Sequence, residues 1–424
     1  MKKKLGGRFW LALTVFSLMG QVAWVVENMY FNVFIYKMFH ATASDISAMV
    51  TASAVTATLT TVFMGALSDD KVGKRKLFIC LGYVLWGVSI FSFVLLRQDL
   101  IGKHLAFLGA AASTGISLTI LLDCLMTFFG STANDAAFNA WLTDSVDDRH
   151  RGAAEGINAM MPLVSILVVF GGFMFFDLNQ ADSWSIIYTV IGVLVLIVGI
   201  LGFFVIDEPC VPSREGGYLE GIVYGFRPKT VRENKRLYLC LLAFVIFNTS
   251  IQIFMPYLII YYETTLQMKD YVLIMAPAIL IASVATAFWG KVFDKRGYRF
   301  SGTLSLVCLV MGYAILFLTR TTLPVFVGSL LMMCGYLCGM AVFGAYIRER
   351  IPAGMAGRFQ GVRICSQVLL PGIAGPMIGK KILENAQTVI GNDGTAAFVP
   401  NANIFLAAGV VALLVFPFFY SPKK

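Results

Sequence analysis

The sequence predicts an all-α membrane protein of twelve transmembrane helices, arranged as two pseudo-symmetric six-helix halves. Two observations predict this fold class. Apolar residues make up 58% of the 424-residue chain and charged residues only 13%, whereas soluble domains are about 45–50% apolar and about 25% charged. In addition, two short motifs each occur twice, in the same order, once in each half of the chain.

Twelve segments are long and apolar enough to cross a bilayer, since a spanning helix needs roughly 20 apolar residues. We interpret them as helices because an open sheet leaves backbone polar groups unsatisfied in lipid. The first segment is too long for a signal peptide and contains Glu27. The segments lie at approximately 9–36, 46–67, 77–96, 115–142, 153–176, 184–206, 237–262, 271–289, 300–319, 322–347, 359–380 and 403–420.

The basic residues are distributed unevenly between the two sides of this arrangement. All but seven of the 33 Lys and Arg residues lie in the N-terminus, the loops after even-numbered spans, or the C-terminus. The seven on the other side are Lys37, Arg97, Lys103, Lys269, Arg320, Lys380 and Lys381. Basic residues accumulate on the cytoplasmic side, so the sequence predicts a multi-pass protein of the cytoplasmic membrane with both termini in the cytoplasm. The net charge of +9 therefore does not indicate nucleic-acid binding.

A polar stretch divides the chain into its two halves. We expect an N-terminal half at 1–206, a cytoplasmic linker at 207–236 and a C-terminal half at 237–424. The linker is too short and too rich in Pro and Gly to fold by itself. The outer segment 98–117 has no counterpart of equal length in the second half. It either lengthens the fourth span or forms a small cap.

The first repeated motif is a glycine- and charge-rich loop after the second and eighth spans. We expect its glycines to let helices approach closely, and its carboxylates to form ion pairs that exist in only one conformational state. Alternatively, its cations serve topology alone. The candidate cytoplasmic gate residues are Gly65, Asp69, Asp70, Lys71 and Gly73 in the first copy, and Gly290, Asp294, Lys295, Gly297 and Arg299 in the second.

The second repeated motif pairs the segment 140–157 with the segment 345–362. Together with the twelve spans and the Gly-x-x-x-Asp-Lys-x-Gly-x-Arg loop at 290–299, it gives a pattern that resembles the major facilitator superfamily over essentially the whole chain. The first loop departs from that pattern, because Asp69 and Asp70 replace a single aspartate. The resemblance implies a secondary transporter with alternating access, whose central cavity is lined by spans 1, 4, 7 and 10.

Two acidic residues inside the spans are candidates for coupling to protons or another cation. Glu27 lies well within the first span and Asp123 within the fourth. A lone carboxylate facing lipid costs several kcal/mol, so each should face a cavity or a partner. The alternative for each is a structural carboxyl that is hydrogen-bonded to a neighbouring helix. We expect Asp135, nearer the cytoplasmic end, to pair with loop cations or to cap a helix.

Other polar and aromatic residues of these spans are candidates for the substrate cavity. Amides and aromatic rings at helical spacing suit a cavity wall, although they also suit packing between helices. The candidates are Gln21, Trp24 and Asn28 on the first span, Asn134 on the fourth, Asn248 and Gln252 on the seventh, and Tyr336 on the tenth.

No pattern in the chain indicates an enzyme. The eight Cys residues lie mostly inside spans without completing a metal site, and no phosphate-binding Gly-rich loop is present. We therefore expect no metal and no cofactor. The expected partners are a small-molecule substrate, a coupling ion and the bilayer, with the protein acting as a monomer. Uptake of a sugar or metabolite, drug-type efflux, and a non-transporting receptor or scaffold with the same fold remain open.

Overall fold

The computed structural model describes residues 6–70, 75–146, 150–207, 223–268, 270–351, 356–390 and 396–420. Within these ranges, nine helices are long and apolar enough to cross a membrane, and two shorter helices are also apolar. In chain order the helices are α1 (Gly7–Phe39), α2 (Ala43–Asp70), α3 (Arg75–Leu95), α4 (Ala111–Leu142), α5 (Arg151–Phe173), α6 (Ala181–Val205), α7 (Lys235–Thr265), α8 (Tyr271–Leu318), α9 (Thr322–Arg350), α10 (Gly361–Leu383) and α11 (Asn403–Phe419).

Each of the twelve predicted segments overlaps one of these helices, and α8 carries two of them. α8 is 48 residues long and departs from helical geometry at one residue, Gly297, whose φ is 75° and ψ is 178°. A positive φ is costly for residues with a Cβ, so glycine is the residue that permits this change of direction. The connection that we predicted as a loop between 289 and 300 is thus helical on both sides of Gly297.

Four of the described helices contain a stretch of π-helix. These stretches are Val26–Tyr30 in α1, Ser131–Phe138 in α4, Tyr261–Thr265 in α7 and Cys365–Leu369 in α10. π-Helical turns are rare and occur frequently at functional sites, because the extra residue rotates the side chains that follow. Three of the four contain an acidic residue: Glu27, Asp135 and Glu263. Of these, only Glu27 was predicted as a site residue.

Glycines allow α3 and α6 to pack with their backbones in close approach. A Cβ on Gly87 would lie 2.5 Å from the backbone nitrogen of Leu196, and one on Gly192 would lie 2.8 Å from that of Phe91. Both distances are shorter than a van der Waals contact between carbon and nitrogen, so a larger residue would push the two helices apart. Small residues are the usual means of close packing between membrane helices.

The segment 98–117 forms a short helix and then extends the start of the fourth span, while its role as a cap stays a prediction. A short helix covers Gln98–His104, a 3₁₀ turn covers Ala106–Leu108, and α4 begins at Ala111. The Arg97 guanidinium lies 2.6 Å from Oδ1 of Asp182 and 3.2 Å from Oδ1 of Asp99, and so links this segment to α6. The hydrogen bond from Arg97 holds the pKa of Asp99 below its usual value.

The chain divides into two compact units. One comprises Met1–Ala41 and Ala52–Tyr218, and the other comprises Thr42–Thr51 and Leu219–Lys424. The second unit also contains a short helix, Pro228–Glu233, and an antiparallel hairpin of β1 (Thr388–Ile390) and β2 (Ala396–Phe398), in which Val389 pairs with Ala397. The domain limits at 206 and 237 stay a prediction.

Candidate substrate and coupling site

Glu27 lies in the π-helical stretch of α1 and is almost completely buried, with 7% of its surface exposed. Its Oε1 accepts hydrogen bonds from Ser53 Oγ at 2.7 Å and from Thr127 Oγ1 at 3.0 Å. The two hydroxyl oxygens are 2.9 Å apart. Its Oε2 has no hydrogen-bond partner among the described residues. Three helices, α1, α2 and α4, therefore meet at this carboxyl.

Asp123 lies close to Glu27 in the same unit. It is 2% exposed and lies on α4, four residues before Thr127 and hence on the same helix face. The two carboxyls interact electrostatically. Within the described residues, Oδ1 of Asp123 also has no hydrogen-bond partner. The two predicted coupling residues are thus brought together, each with an oxygen that can take a proton or contact a cation.

The central part of this unit contains no basic residue in its described helices. Each Lys and Arg of α1 to α6 lies within three residues of a helix end; they are Arg8, Lys37, Arg75, Lys76 and Arg151. The negative charge of an ionised Glu27 or Asp123 is therefore not compensated by a nearby side-chain cation. Burial without such compensation is costly for a charged group.

Asp135 lies in the π-helical stretch of α4 and is partly accessible. Its Oδ2 accepts a hydrogen bond from Ser131 Oγ at 3.1 Å, and its Oδ1 accepts one from Asn134 Nδ2 at 3.3 Å. The expectation that Asp135 pairs with loop cations or caps a helix is wrong, because its hydrogen-bond partners among the described residues lie on α4 itself.

The predicted residues of the first span differ in accessibility. Gln21 and Trp24 are partly accessible, and Asn28 is exposed. Trp24 packs on the buried Trp86, with ring centroids 5.1 Å apart. Asn28 Nδ2 donates a hydrogen bond to the Trp24 carbonyl oxygen at 2.8 Å. These three side chains follow one face of α1 at spacings of three and four residues.

Asn134 is buried behind this face rather than on it. It is 5% exposed, and its Oδ1 lies 3.0 Å from the Tyr83 hydroxyl. A Cβ on Gly20 would lie 2.5 Å from the same oxygen, so α1 and α4 pack closely here. Asn134 is therefore in position to support the neighbouring Asp135. Its role as a direct substrate contact stays a prediction.

The candidates of the C-terminal half lie in the second unit. Asn248 is 7% exposed and donates a hydrogen bond to the Phe244 carbonyl oxygen at 2.9 Å, one turn earlier on α7. Gln252 and Tyr336 are partly accessible. Beyond Gln252, α7 changes to a 3₁₀ turn at Met255–Tyr257 that contains Pro256. Proline lacks a backbone N–H and therefore interrupts the pattern of backbone hydrogen bonds in the helix.

The second copy of the predicted gate motif borders a cavity of about 250 Å³. Asp294, Arg348 and Glu349 line it together with apolar side chains of α8 and α9. Asp294, Lys295 and Arg299 are exposed. The expected close approach at Gly290 is absent among the described residues, because a Cβ there would meet nothing within 4 Å. The gate function stays a prediction.

Only part of the first copy lies within the described residues. Gly65, Asp69 and Asp70 lie at the end of α2, and their side chains are not described. Lys71 and Gly73 lie outside the described residues.

Sequence reasoning missed the partners of the two acidic sites. Ser53, Thr127 and Trp86 were not among the residues selected from the sequence. Hydroxyl residues are common in membrane helices, so their type alone carries little information. The available indication was the spacing of Thr127, which follows Asp123 by four residues.

Taken together, the apolar helices and the buried polar residues define a multi-pass membrane protein with polar groups inside its helices. The sequence model that describes the Major Facilitator Superfamily as a family matches residues 9–376 of this chain. No curated protein matches the chain at a significant level. The chain belongs to the Major Facilitator Superfamily. It is accordingly a secondary transporter that acts on a small molecule, and not an enzyme.

Solved structures of transporters have the same fold. The nucleoside transporter NupG is 12% identical, with a TM-score of 0.73, and the match covers 97% of this chain and 99% of that one. A bacterial homologue of the human lysosomal transporter Spinster, in an inward-facing and unoccupied conformation, is 15% identical, with a TM-score of 0.71 and coverage of 98% and 96%. At these identities the likeness concerns the fold alone.

Proposed function

We propose that this transporter couples the movement of its solute to protons through the carboxyl of Glu27, with Asp123 as the neighbouring acid. The observation that carries the proposal is the environment of Glu27. One oxygen is held by Ser53 and Thr127, and the other has no partner among the described residues. A carboxyl with one hydrogen-bonded oxygen and one unpartnered oxygen can add or release a proton on the second oxygen. The hydrogen bonds from Ser53 and Thr127 to the first oxygen need not rearrange.

Alternating access explains how the proton is taken up and released at Glu27. When the site opens to water, solvation stabilises the ionised carboxylate and the proton leaves; when it closes, the protonated form is favoured again. Proton occupancy then follows the side to which the site is open. Asp123 lies within electrostatic range of Glu27, so ionisation of both at once is disfavoured and a single proton can serve the pair.

The cellular setting belongs to the same proposal. The charge distribution supports a cytoplasmic membrane location with both termini in the cytoplasm. The protein acts as a monomer of two six-helix halves, at 1–206 and 237–424, joined by a cytoplasmic linker.

The experiment compares two kinds of transport in proteoliposomes. Because the fold neighbour NupG is a nucleoside transporter, labelled uridine is the first probe, and the same comparison applies to any solute that the wild-type protein accumulates. Glu27→Gln mimics the protonated state, so it should keep exchange of labelled for unlabelled solute. It should lose accumulation driven by a pH step.

Asp182→Asn is the matched control, because this acid is exposed near the start of α6 and pairs with Arg97. It should keep both exchange and accumulation. Accumulation that persists in Glu27→Gln would contradict the assignment, and Asp123→Asn would then be tested in the same way.

A further inference from the structure

A second polar group of the N-terminal unit lies beside Glu27 on α1 and α4, and the proposed coupling step does not use it. It consists of Gln21, Trp24, Asn28 and Asp135, which we call the Trp24 wall. Gln21 and Trp24 flank the midpoint of the 33-residue helix α1, and Asn28 lies five residues beyond it. Asn28 is exposed. Polar side chains at mid-span do not face lipid without a large cost, so this wall faces an aqueous space.

The indole of Trp24 is held in place from behind. Trp86, which is fully buried, packs against it with an interplanar angle of 52°. Gly130 of α4 leaves room for both rings, because a Cβ there would lie 2.8 Å from Trp86 and 3.1 Å from Trp24. A supported indole that remains partly accessible is a platform on which a flat ring can stack at little entropic cost.

Asp135 offers a limited number of acceptor sites next to this indole. An ionised carboxylate has about four lone-pair sites. Ser131 and Asn134 use two of them. The remaining sites are available to a ligand, which suits a hydroxyl or N–H donor. Gln21 and Asn28 add amide groups on the same side of α1.

The charges in this unit exclude one class of solute. Glu27, Asp123 and Asp135 are acidic, whereas the basic residues of the described parts of α1 to α6 lie at the helix ends. An anionic solute would meet these acids without a compensating cation from the described helices of this unit, which disfavours its binding by several-fold or more.

We infer that the Trp24 wall is the ring-binding part of the substrate site, and that it takes an uncharged, ring-bearing solute with hydroxyl or amide donors, of the sugar or nucleoside class. The ring stacks on Trp24, and one donor of the solute bonds to Asp135. This inference rests on the proposed transport function, but it concerns binding and not coupling.

Binding to the purified full-length protein, without any ion gradient, tests the inference. The probes are uridine, adenosine, glucose and xylose as neutral ring solutes, uridine 5′-monophosphate as an anion, and tetraphenylphosphonium as an organic cation. We expect at least one neutral solute to bind and to change tryptophan fluorescence, and the monophosphate to bind at least tenfold more weakly than uridine. The inference is overturned if no neutral ring solute binds, or if the anion or the cation binds more tightly.

Variants identify the residues responsible. Stacking on an aromatic side chain typically contributes a factor of roughly 5 to 150 in affinity, so Trp24→Ala should weaken binding by a factor in that range and Trp24→Phe by less. Asp135→Asn should weaken it by about tenfold or more, since a hydrogen bond to a charged acceptor is lost. Trp10→Phe is the control, because Trp10 packs on His150 near the start of α1, and it should bind as wild type does.

Wild-type affinity in both Trp24→Ala and Asp135→Asn would also overturn the inference. Its failure is distinguishable from failure of the coupling proposal. Glu27→Gln mimics the protonated state, so it is expected to bind the neutral solute as the wild type does at low pH. Loss of coupling therefore does not abolish the binding that these measurements detect.

Discussion

Adding one methyl group at Gly130 should disturb the indole pair that supports the Trp24 wall. Gly130 is buried and directly precedes the π-helical stretch of α4, with helical φ and ψ of −61° and −49°. An alanine therefore fits the backbone. Its Cβ, however, would lie 2.8 Å from Cε2 and Cζ2 of Trp86 and 3.1 Å from Cη2 of Trp24.

The size of the destabilisation follows from the distances between the added Cβ and the two indole rings. Carbon atoms make favourable contact at about 3.5–4.0 Å, so Trp86 must move by roughly 0.7 Å or more. Trp86 is fully buried and packs against Tyr83 at 5.4 Å between ring centroids, which leaves it little freedom. Overpacking of this kind costs about 1–3 kcal/mol. Alanine recovers about 0.5–1 kcal/mol as the better helix former, so the net destabilisation by Gly130→Ala should lie in the range of about 0–2.5 kcal/mol.

Thermal unfolding of the purified protein and its tryptophan emission measure the effect. Gly171→Ala in α5 is the matched control, because a Cβ there would meet nothing within 4 Å; it should be neutral or slightly stabilising. Combining Gly130→Ala with Trp86→Phe should remove most of the penalty relative to Trp86→Phe alone, since the smaller ring frees the space. A Tm equal to that of Gly171→Ala with unchanged emission would refute the reasoning.

Two further predictions concern coupling and topology. Thr127→Val removes one of the two donors to Glu27 and should reduce pH-driven accumulation severalfold. Thr189→Val is the control and should not reduce it, because among the described residues the Thr189 hydroxyl bonds the Ser185 carbonyl of its own helix, at 2.7 Å. Equal losses in both variants would contradict the role of the Thr127 hydroxyl. An impermeant thiol reagent applied to intact cells should label Lys103→Cys but not Lys229→Cys, because the first lies in the predicted outer segment and the second in the predicted cytoplasmic linker. The reverse pattern would contradict the predicted orientation.

The spans could be predicted from the sequence because apolarity and span length act locally. Glu27 and Asp123 could be selected for the same reason, since an acid within an apolar span is rare and costly. Their partners could not, because which hydroxyl meets Glu27 depends on how α2 and α4 pack against α1. Ser53 lies 26 positions from Glu27 and Thr127 lies 100 positions from it.

The expectation for Asp135 failed because the helix does not keep a regular period there. A regular helix through Ser131–Phe138 would orient this side chain differently, and single-sequence periodicity assumes 3.6 residues per turn. In the structure Asp135 lies in this π-helical stretch, and its carboxyl accepts hydrogen bonds from Ser131 and Asn134 of the same helix. At Gly290 the sequence reasoning failed for a different reason. A glycine that recurs in a motif suggested close packing, whereas the space around it is open within the described residues.

The proposed coupling residue and the proposed binding wall lie on the same two helices. Trp24 and Glu27 are three residues apart on α1, with the π-helical stretch beginning between them at Val26, and Thr127 and Asp135 lie on α4. Any change in the position of α1 relative to α4 therefore alters both groups. Linkage then requires that a proton at Glu27 and a solute on Trp24 change each other's affinity by the same factor. A solute affinity that is independent of pH in the wild type, and equal in Glu27→Gln, would mean that these neighbouring groups are not coupled through binding and that coupling arises only in the transport step.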